Sequence, residues 1–423
     1  MIYMVEMALL DPARRAEWDA WYVAHQHRLL SIPGFRATQR FEAIHAAQSP
    51  FVALHEVDAP EIFDSPAYRA KAGPGNTGEW QTRMGHWHRN LFAAAHTPDV
   101  PMDARLVVTE EDGAAARAGD VPVTWMDAVG LDRSVRRRGL AVMPPATAER
   151  LVGAPGIRVL KPLGPRLQPR INVHRRGNGP DVVLFHGGMG SWRHWIRNVE
   201  ALATRFTVSA LDHPAYGASA AVARDTTGPA YLDLVHDLFV EMFPGEAPLR
   251  LGGFSFGGAI AASLARRLAP RVTHLCLVSP GGFPARRFGE RPTRSYREAG
   301  DDETRFREIC RHNLRINMLR DPASVTEEAV DIQAYGVRHA RFDSRKVSGG
   351  GTLLTDLARL GCRIRLLWGE GDDSAFRPAS LLIDEIRAAV PRLDLHRIPR
   401  AGHWSAYENA GEVNRLMLEF FSI

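Results

Sequence analysis

The sequence predicts an α/β fold: a mostly parallel sheet covered by helices, with an inserted helical cap, preceded by a small α+β domain. Three observations carry that expectation. From residue 181 onward, short apolar runs that stop at glycine, proline or a polar residue alternate with helical patterns, as a parallel sheet with crossover helices requires. The first hundred residues follow a different rhythm, β-α-β-β, typical of a small α+β sandwich. Late in the chain, a long stretch of mixed charge from about residue 283 to 356 interrupts the alternation.

Composition bounds the reading. A chain of 423 residues, 45% hydrophobic, can bury a large core and exceeds the usual size of one domain. Lys and Arg number 53 against 48 Asp and Glu, a formal charge of +5. The excess gathers near Arg133, Arg136, Arg137, Arg138, Arg170, Arg175 and Arg176, a mild local surplus that reads as a solvated linker, so no nucleic-acid partner is expected. Cys276, Cys310 and Cys362 are odd in number and far apart, with no CxxC spacing, which indicates neither a disulfide framework nor a zinc site. The start, MIYMVEMALLDPARR, places Glu6 and Asp11 where a signal peptide needs a basic start and an apolar run. No stretch approaches a membrane span. A cytoplasmic location and no membrane partner follow as expectations.

The elements run in order as follows. A strand-like MIYMVEMAL leads to an amphipathic run over Arg14 to Leu30, with Trp18, Trp21, Tyr22, His25 and Leu29 at helical intervals. The turn Ile32-Pro33-Gly34 and the strand-like FRATQRFEA and FVALHEV follow. Residues 1–100 are expected to form this first domain. Residues 101–165, glycine-, proline- and alanine-rich between weak apolar runs such as RLVVTE and IRVLKPL, are expected to be a linker or partly structured extension. The sequence shows no convincing internal repeat. Residues 166–423 form the α/β domain, whose strand candidates are DVVLFHGG, RFTVSALDHP, PLRLGGFS, RVTHLCLVSP, IRLLWGEGD and LDLHRIPRAGH. Between them YLDLVHDLFVEMF and residues 256–269 read as helices. The cap carries Arg286, Arg287, Arg291, Arg294, Arg311 and Arg315 interleaved with Glu290, Asp301, Asp302, Glu303 and Glu308, a mixed solvated surface by pattern.

Chemistry concentrates at Gly253-Phe254-Ser255-Phe256-Gly257, a G-x-S-x-G placed where an apolar strand gives way to a helix. A sharp turn there forces the serine into strained dihedrals, and glycines two positions away let the neighbouring backbone pass closely. The pattern alone is weak, since glycine and serine abound in turns. A serine hydroxyl is a poor nucleophile at neutral pH and needs a base, and the base needs an acid to fix its tautomer. Asp372, the last residue of IRLLWGEGD, and His403, the last of LDLHRIPRAGH, follow in that order.

With HGGMGSW, DHPAYGAS, GFSFGG, WGEGD and GHW in sequence, the stretch from about residue 170 to 423 resembles an α/β-hydrolase of the esterase and meta-cleavage-product hydrolase branch. The resemblance implies Ser255 as nucleophile, His403 as base and Asp372 as acid, with the backbone N–H of Phe256 and of Gly188 as the oxyanion hole and Met189 as the neighbouring alternative. Asp373 competes for the acid role, but the WGxxD pattern counts to Asp372, leaving Asp373 as a loop residue. Relatives often have glycine at the Ala215 position, which leaves the shape of that loop open. Histidines outside the triad motifs, His194 and His213 among them, read as surface or satisfied core residues.

Residues 1 to about 97, through EWDAWYVAHQHRLLSIPGF and DSPAYRA, resemble the dimeric α+β barrel superfamily, in particular its small ferredoxin-like members related to EthD. That implies a homodimer paired through the N-terminal sheets, and allows His25 or His27 as a second base. No metal is expected and no cofactor is implied. The reading is a serine hydrolase cleaving a small ester, lactone or related acyl compound. The alternatives are a C–C bond hydrolase of a vinylogous diketone and a non-catalytic ligand-binding or assembly module.

Overall fold

The computed structural model describes residues 1–94, 96–110, 122–284, 292–373 and 378–423. Arg286, Arg287, Glu290 and Arg291 of the expected cap lie outside the described residues. The chain divides into two units, Met1–Pro169 and Arg170–Ile423.

The first unit is a closed barrel of eight antiparallel strands: β1 (Ile2–Leu9), β2 (Phe35–Ala43), β3 (Phe51–Val57), β4 (Met84–Phe92), β5 (Arg105–Thr109), β6 (Thr124–Leu131), β7 (Arg137–Met143) and β8 (Ile157–Pro162). They are ordered β1-β3-β2-β8-β5-β7-β6-β4. Along β1 the side chains alternate, as the two-residue strand period demands. Ile2 and Met4 join the interior cluster with Leu54, Phe92, Leu106 and Leu160, while Tyr3, Val5 and Met7 pack with Trp18, Tyr22 and Leu29 of the helix Arg15–Leu30.

Two expectations change here. The stretch 101–165 is not a linker, because β5–β8 supply half the barrel wall, and the first folded unit extends to Pro169 and not to residue 100. The barrel also closes within one chain, so the sheet edges that would pair two copies are already joined.

The second unit holds a seven-stranded sheet in the order β15-β14-β13-β12-β10-β11-β9. Its strands are β9 (Asn172–Arg176), β10 (Asp181–Phe185), β11 (Thr207–Asp212), β12 (Leu249–Phe254), β13 (Val272–Val278), β14 (Arg363–Gly369) and β15 (Asp394–Ile398). Strands β10 to β15 are parallel, and β9 is an antiparallel edge. Both faces are covered, as a parallel sheet requires. Val183, Phe185 and Leu251 pack on one side with Tyr231, Phe239, Ile260 and Ile386. Val182, Leu184 and Val208 pack on the other with Val199, Leu202, Leu416 and Phe420.

Between β13 and β14 the chain passes through helices Glu303–Asn317, Glu327–Arg338, Arg345–Ser348 and Leu353–Leu357. The last of these departs from the expected cap, because Leu353 and Leu357 are buried in the sheet's own core with Ile260 and Leu264. Of the cap arginines, Arg311 pairs with Glu327 at 2.5 Å.

Candidate active site

Strand β12 ends at Phe254 and the helix Phe256–Arg267 begins at the second residue after it, so Ser255 alone makes the turn. Its φ of 51° and ψ of −115° are unfavourable for a residue with a Cβ. Backbone bonds hold it there: Ser255 N–H donates to Val278 O at 3.0 Å, and Gly281 N–H donates to Ser255 O at 2.7 Å. Space is the second requirement. A Cβ on Gly257 would lie 2.3 Å from the carbonyl oxygen of Phe185, and one on Gly253 would lie 2.5 Å from that of Gly257. These are backbone atoms of the end of β10 and of the helix itself, and cannot yield. Gly257→Ala is therefore expected to destabilise the protein by about 3 kcal/mol or more, read as a lowered urea midpoint.

Asp372 and His403 arrive on the loops that follow β14 and β15. The two loops touch closely, since a Cβ on Gly369 would meet Gly402 O at 2.1 Å, and Gly371 N–H donates to Ala401 O at 2.8 Å. Next to His403, Trp404 is fully buried, with its indole N–H donating to His194 O at 2.8 Å and its backbone N–H to Met318 O at 2.8 Å. The imidazole is thus carried on an anchored backbone.

The structure brings the three residues into one chain of hydrogen bonds. His403 Nε2 lies 3.0 Å from Ser255 Oγ, and His403 Nδ1 lies 2.9 Å from Asp372 Oδ2. Asp372 and His403 are 5% and 6% exposed while Ser255 is half-buried, so only the hydroxyl end of the chain is open. An acceptor carboxylate at Nδ1 fixes the N–H there and makes Nε2 the acceptor of the Ser255 hydroxyl. Asp373 does something else: its carboxylate accepts the N–H of Ala379 at 3.0 Å, at the start of the helix Ala379–Ala389.

Phe256 is the first helical residue, and the leading N–H groups of a helix have no partner within it. Gly188 and Met189 lie on the loop after β10. A Cβ on Gly188 would stand 3.9 Å from Phe256 Cβ and 2.6 Å from Ser344 Oγ, which sets that loop beside the start of the helix. Met189 has φ 48° and is 45% exposed.

Sequence reasoning gave no role to the groups that hold this loop. His186 Nδ1 donates to Gly187 O at 2.7 Å, and His194 Nδ1 accepts from Gly187 N–H at 3.1 Å. Gly187 is clamped on both sides, and through the Gly187–Gly188 peptide plane the first bond also orients the Gly188 N–H. His186 Nε2 in turn accepts the N–H of His213 at 3.1 Å, and the two rings stack at 3.8 Å. His213 is not the satisfied core residue expected, since both ring nitrogens are buried with no hydrogen-bond partner among the described residues. A histidine directly before Gly187-Gly188 at a strand end was the available signal.

Asp212 fastens the next loop, accepting from Trp192 N–H at 2.7 Å and Ala218 N–H at 2.9 Å. In that loop Ala215 does adopt the glycine-like φ of 65°, held by Ala215 N–H to Ala220 O at 2.8 Å.

Burial keeps these imidazoles neutral. It pushes His186 down to about 4 and His194 and His213 well below the ordinary value. The unfolded chain protonates them near 6.5 while the native state does not, so between about pH 6.5 and pH 4 the unfolded state binds more protons and stability falls as pH is lowered. The urea midpoint is expected to drop between pH 7 and pH 4.5, and a flat profile would contradict this assignment.

In the barrel unit the two histidines separate. His25 is 9% exposed, stacks on Trp21 at 5.1 Å and lines a cavity of about 20 Å³ with Tyr3, Tyr22, His55 and Trp87, whereas His27 is exposed. That volume admits about one water molecule. Among the described residues, no group of three or more His, Cys, Asp or Glu is placed to hold a metal ion, and no helix is long and apolar enough to cross a membrane.

The sequence model of the alpha/beta hydrolase family matches residues 182–416, more than half of the chain. The chain belongs to the alpha/beta hydrolase family. It is 30% identical over 262 residues to the dihydrolipoyllysine-residue acetyltransferase component of an acetoin cleaving system from Cupriavidus necator, a match covering 59% of this chain and 65% of that relative. It is 27% identical over 273 residues to the 2-hydroxy-6-oxo-6-phenylhexa-2,4-dienoate hydrolase of Burkholderia cepacia, covering 60% and 91%. Among solved structures it is similar to a meta-cleavage product hydrolase from Pseudomonas fluorescens IP01, at 23% identity and a TM-score of 0.49, covering 60% of this chain and 94% of the other. The esterases and C–C bond hydrolases of this alpha/beta hydrolase family are both among its relatives.

Proposed function

We propose that this alpha/beta hydrolase is a serine hydrolase of a small ester, lactone or related acyl compound, working through an acyl-enzyme. The observation that carries the reading is the unbroken series Ser255 Oγ, His403 and Asp372 at 3.0 and 2.9 Å, with its hydroxyl end accessible. In this scheme Ser255 Oγ attacks the carbonyl carbon as His403 Nε2 takes its proton. Asp372 keeps the Nδ1–H tautomer and stabilises the imidazolium. The N–H groups of Phe256 and Gly188 receive the charge that develops on the oxygen. His403 then gives its proton to the leaving group, and a water molecule, deprotonated by the same nitrogen, releases the acid.

A second reading is favoured by relatives named as hydrolases of 2-hydroxy-6-oxo dienoates and dienedioates: cleavage of a C–C bond in a vinylogous diketone by the same three residues. For the N-terminal unit, the order β4-β1-β3-β2 supports a ferredoxin-like assignment related to the EthD-type barrels.

Turnover of a panel of short-chain p-nitrophenyl esters, set beside a ring-cleavage dienoate with product analysis, tests the reading. Ester hydrolysis with a Ser255-bound acyl group is the expected result. Preference for the dienoate would transfer the proposal to C–C cleavage, and ligand binding without turnover of either would favour a binding module.

A further inference from the structure

The barrel repeats itself. Strands β1 to β4 lie in the order fourth, first, third, second, and β5 to β8 lie in that same relative order, β8-β5-β7-β6. Each half places a helix between its third and fourth strands, Pro66–Lys71 in the first and Pro145–Ala148 in the second. The two halves meet at two seams, β2 with β8 and β4 with β6. In each seam a second strand joins a fourth strand of the other half. Patch i meets patch j and patch j meets patch i, which is the signature of a two-fold contact.

The registers make the relation quantitative. Ile2 faces Phe92 and Met4 faces Leu54 in the first half, while Leu106 faces Leu160 and Val108 faces Leu140 in the second. Setting Ile2 equivalent to Leu106 therefore makes Met4 equivalent to Val108, Leu54 to Leu140 and Phe92 to Leu160. Through Phe41–Val52 and Met126–Arg138 it makes Phe41 equivalent to Met126. All five pairs are apolar, and all ten residues belong to the one interior cluster. The seams supply an independent check. The same offset makes Ala43 equivalent to Ala128, so a two-fold axis that joins Ala43 to Leu160 must join Ala128 to Phe92, and both pairings are observed.

We propose that the N-terminal unit is a tandem duplication of one four-stranded fold, closed in cis as a covalent pair, and that it takes no second copy of this chain through its sheets. Closure uses both edges of both halves, and a closed barrel has no edge left to pair. The expected homodimer through the N-terminal domain is thereby replaced by an internal one.

Lys161 and Glu42 stand opposite each other across one seam, with Nζ 3.2 Å from the carboxylate, and Lys161 is 48% exposed. A zero-length carbodiimide should join them in the wild-type chain at the mass of one chain, 46.9 kDa. Glu42→Gln and Lys161→Arg chains, co-expressed with different tags, each lack one partner in cis but complement each other in trans. Closure in cis gives no Lys161–Glu42 link in that mixture. A link restored between the two tagged chains, or a wild type in which the link is absent, overturns the proposal.

Discussion

Replacing Ser255 by alanine is expected to lower kcat for acyl turnover by about 10⁴- to 10⁶-fold, leaving only the acceleration that binding and backbone N–H donors supply. The backbone bonds that pin residue 255, from Ser255 N–H to Val278 O and from Gly281 N–H to Ser255 O, do not involve the hydroxyl, so the variant should fold and melt close to the wild type. The loss is then chemical and not structural. His403→Ala should cost a similar factor, because serine and imidazole act as one unit across the 3.0 Å contact. The double variant should be scarcely worse than either single one. Multiplying losses would mean that the two residues contribute separately.

Asp372→Asn is expected to reduce kcat by about 10⁴-fold with little change in size or packing. Asp372 is 5% exposed and its oxygen lies 2.9 Å from His403 Nδ1. An amide N–H placed there would require Nδ1 to accept, which moves the imidazole proton to Nε2, where it faces the serine and blocks it as a base. Asp373→Asn is the matched control. Its carboxylate serves the N–H of Ala379, so the change should alter stability by about 1 kcal/mol or less and leave kcat unchanged. If the two variants exchanged these effects, the acid would have to be reassigned to Asp373.

The part of the fold that was legible in the sequence is the part where strands end in chemistry. Runs such as DVVLFHGG and IRLLWGEGD are apolar because both sheet faces are covered, and they stop at glycines because loops there pass within van der Waals distance of each other, as Gly369 and Gly402 do. Strand β9 was missed because an edge strand needs only one apolar side. Asn172–Arg176 carries His174, Arg175 and Arg176, which discourage further pairing. The stretch 101–165 was misjudged because its strands are only five to eight residues long and carry breaks in their apolar runs, with Arg137, Arg138 and Gly139 opening β7 and Arg158 inside β8. The duplication was invisible because the equivalent positions of the interior cluster share apolar character and not residue identity. Phe41 and Met126, or Phe92 and Leu160, fill equivalent positions without resembling each other, and the connections between them differ in length.

The candidate site was legible at Ser255, Asp372 and His403 because each follows a strand end with its own glycines. The hold of His194 on Gly187 was not, since a hydrogen bond from a ring to a backbone group elsewhere in the loop leaves no spacing rule in the sequence.

The most direct test of the central claim is intact-mass and peptide-mapping mass spectrometry after incubation with a serine-directed fluorophosphonate. The account gives one adduct per chain, on the peptide containing Ser255, absent in Ser255→Ala and slowed in Asp372→Asn. An unlabelled wild type, or an adduct that persists in Ser255→Ala, would contradict it.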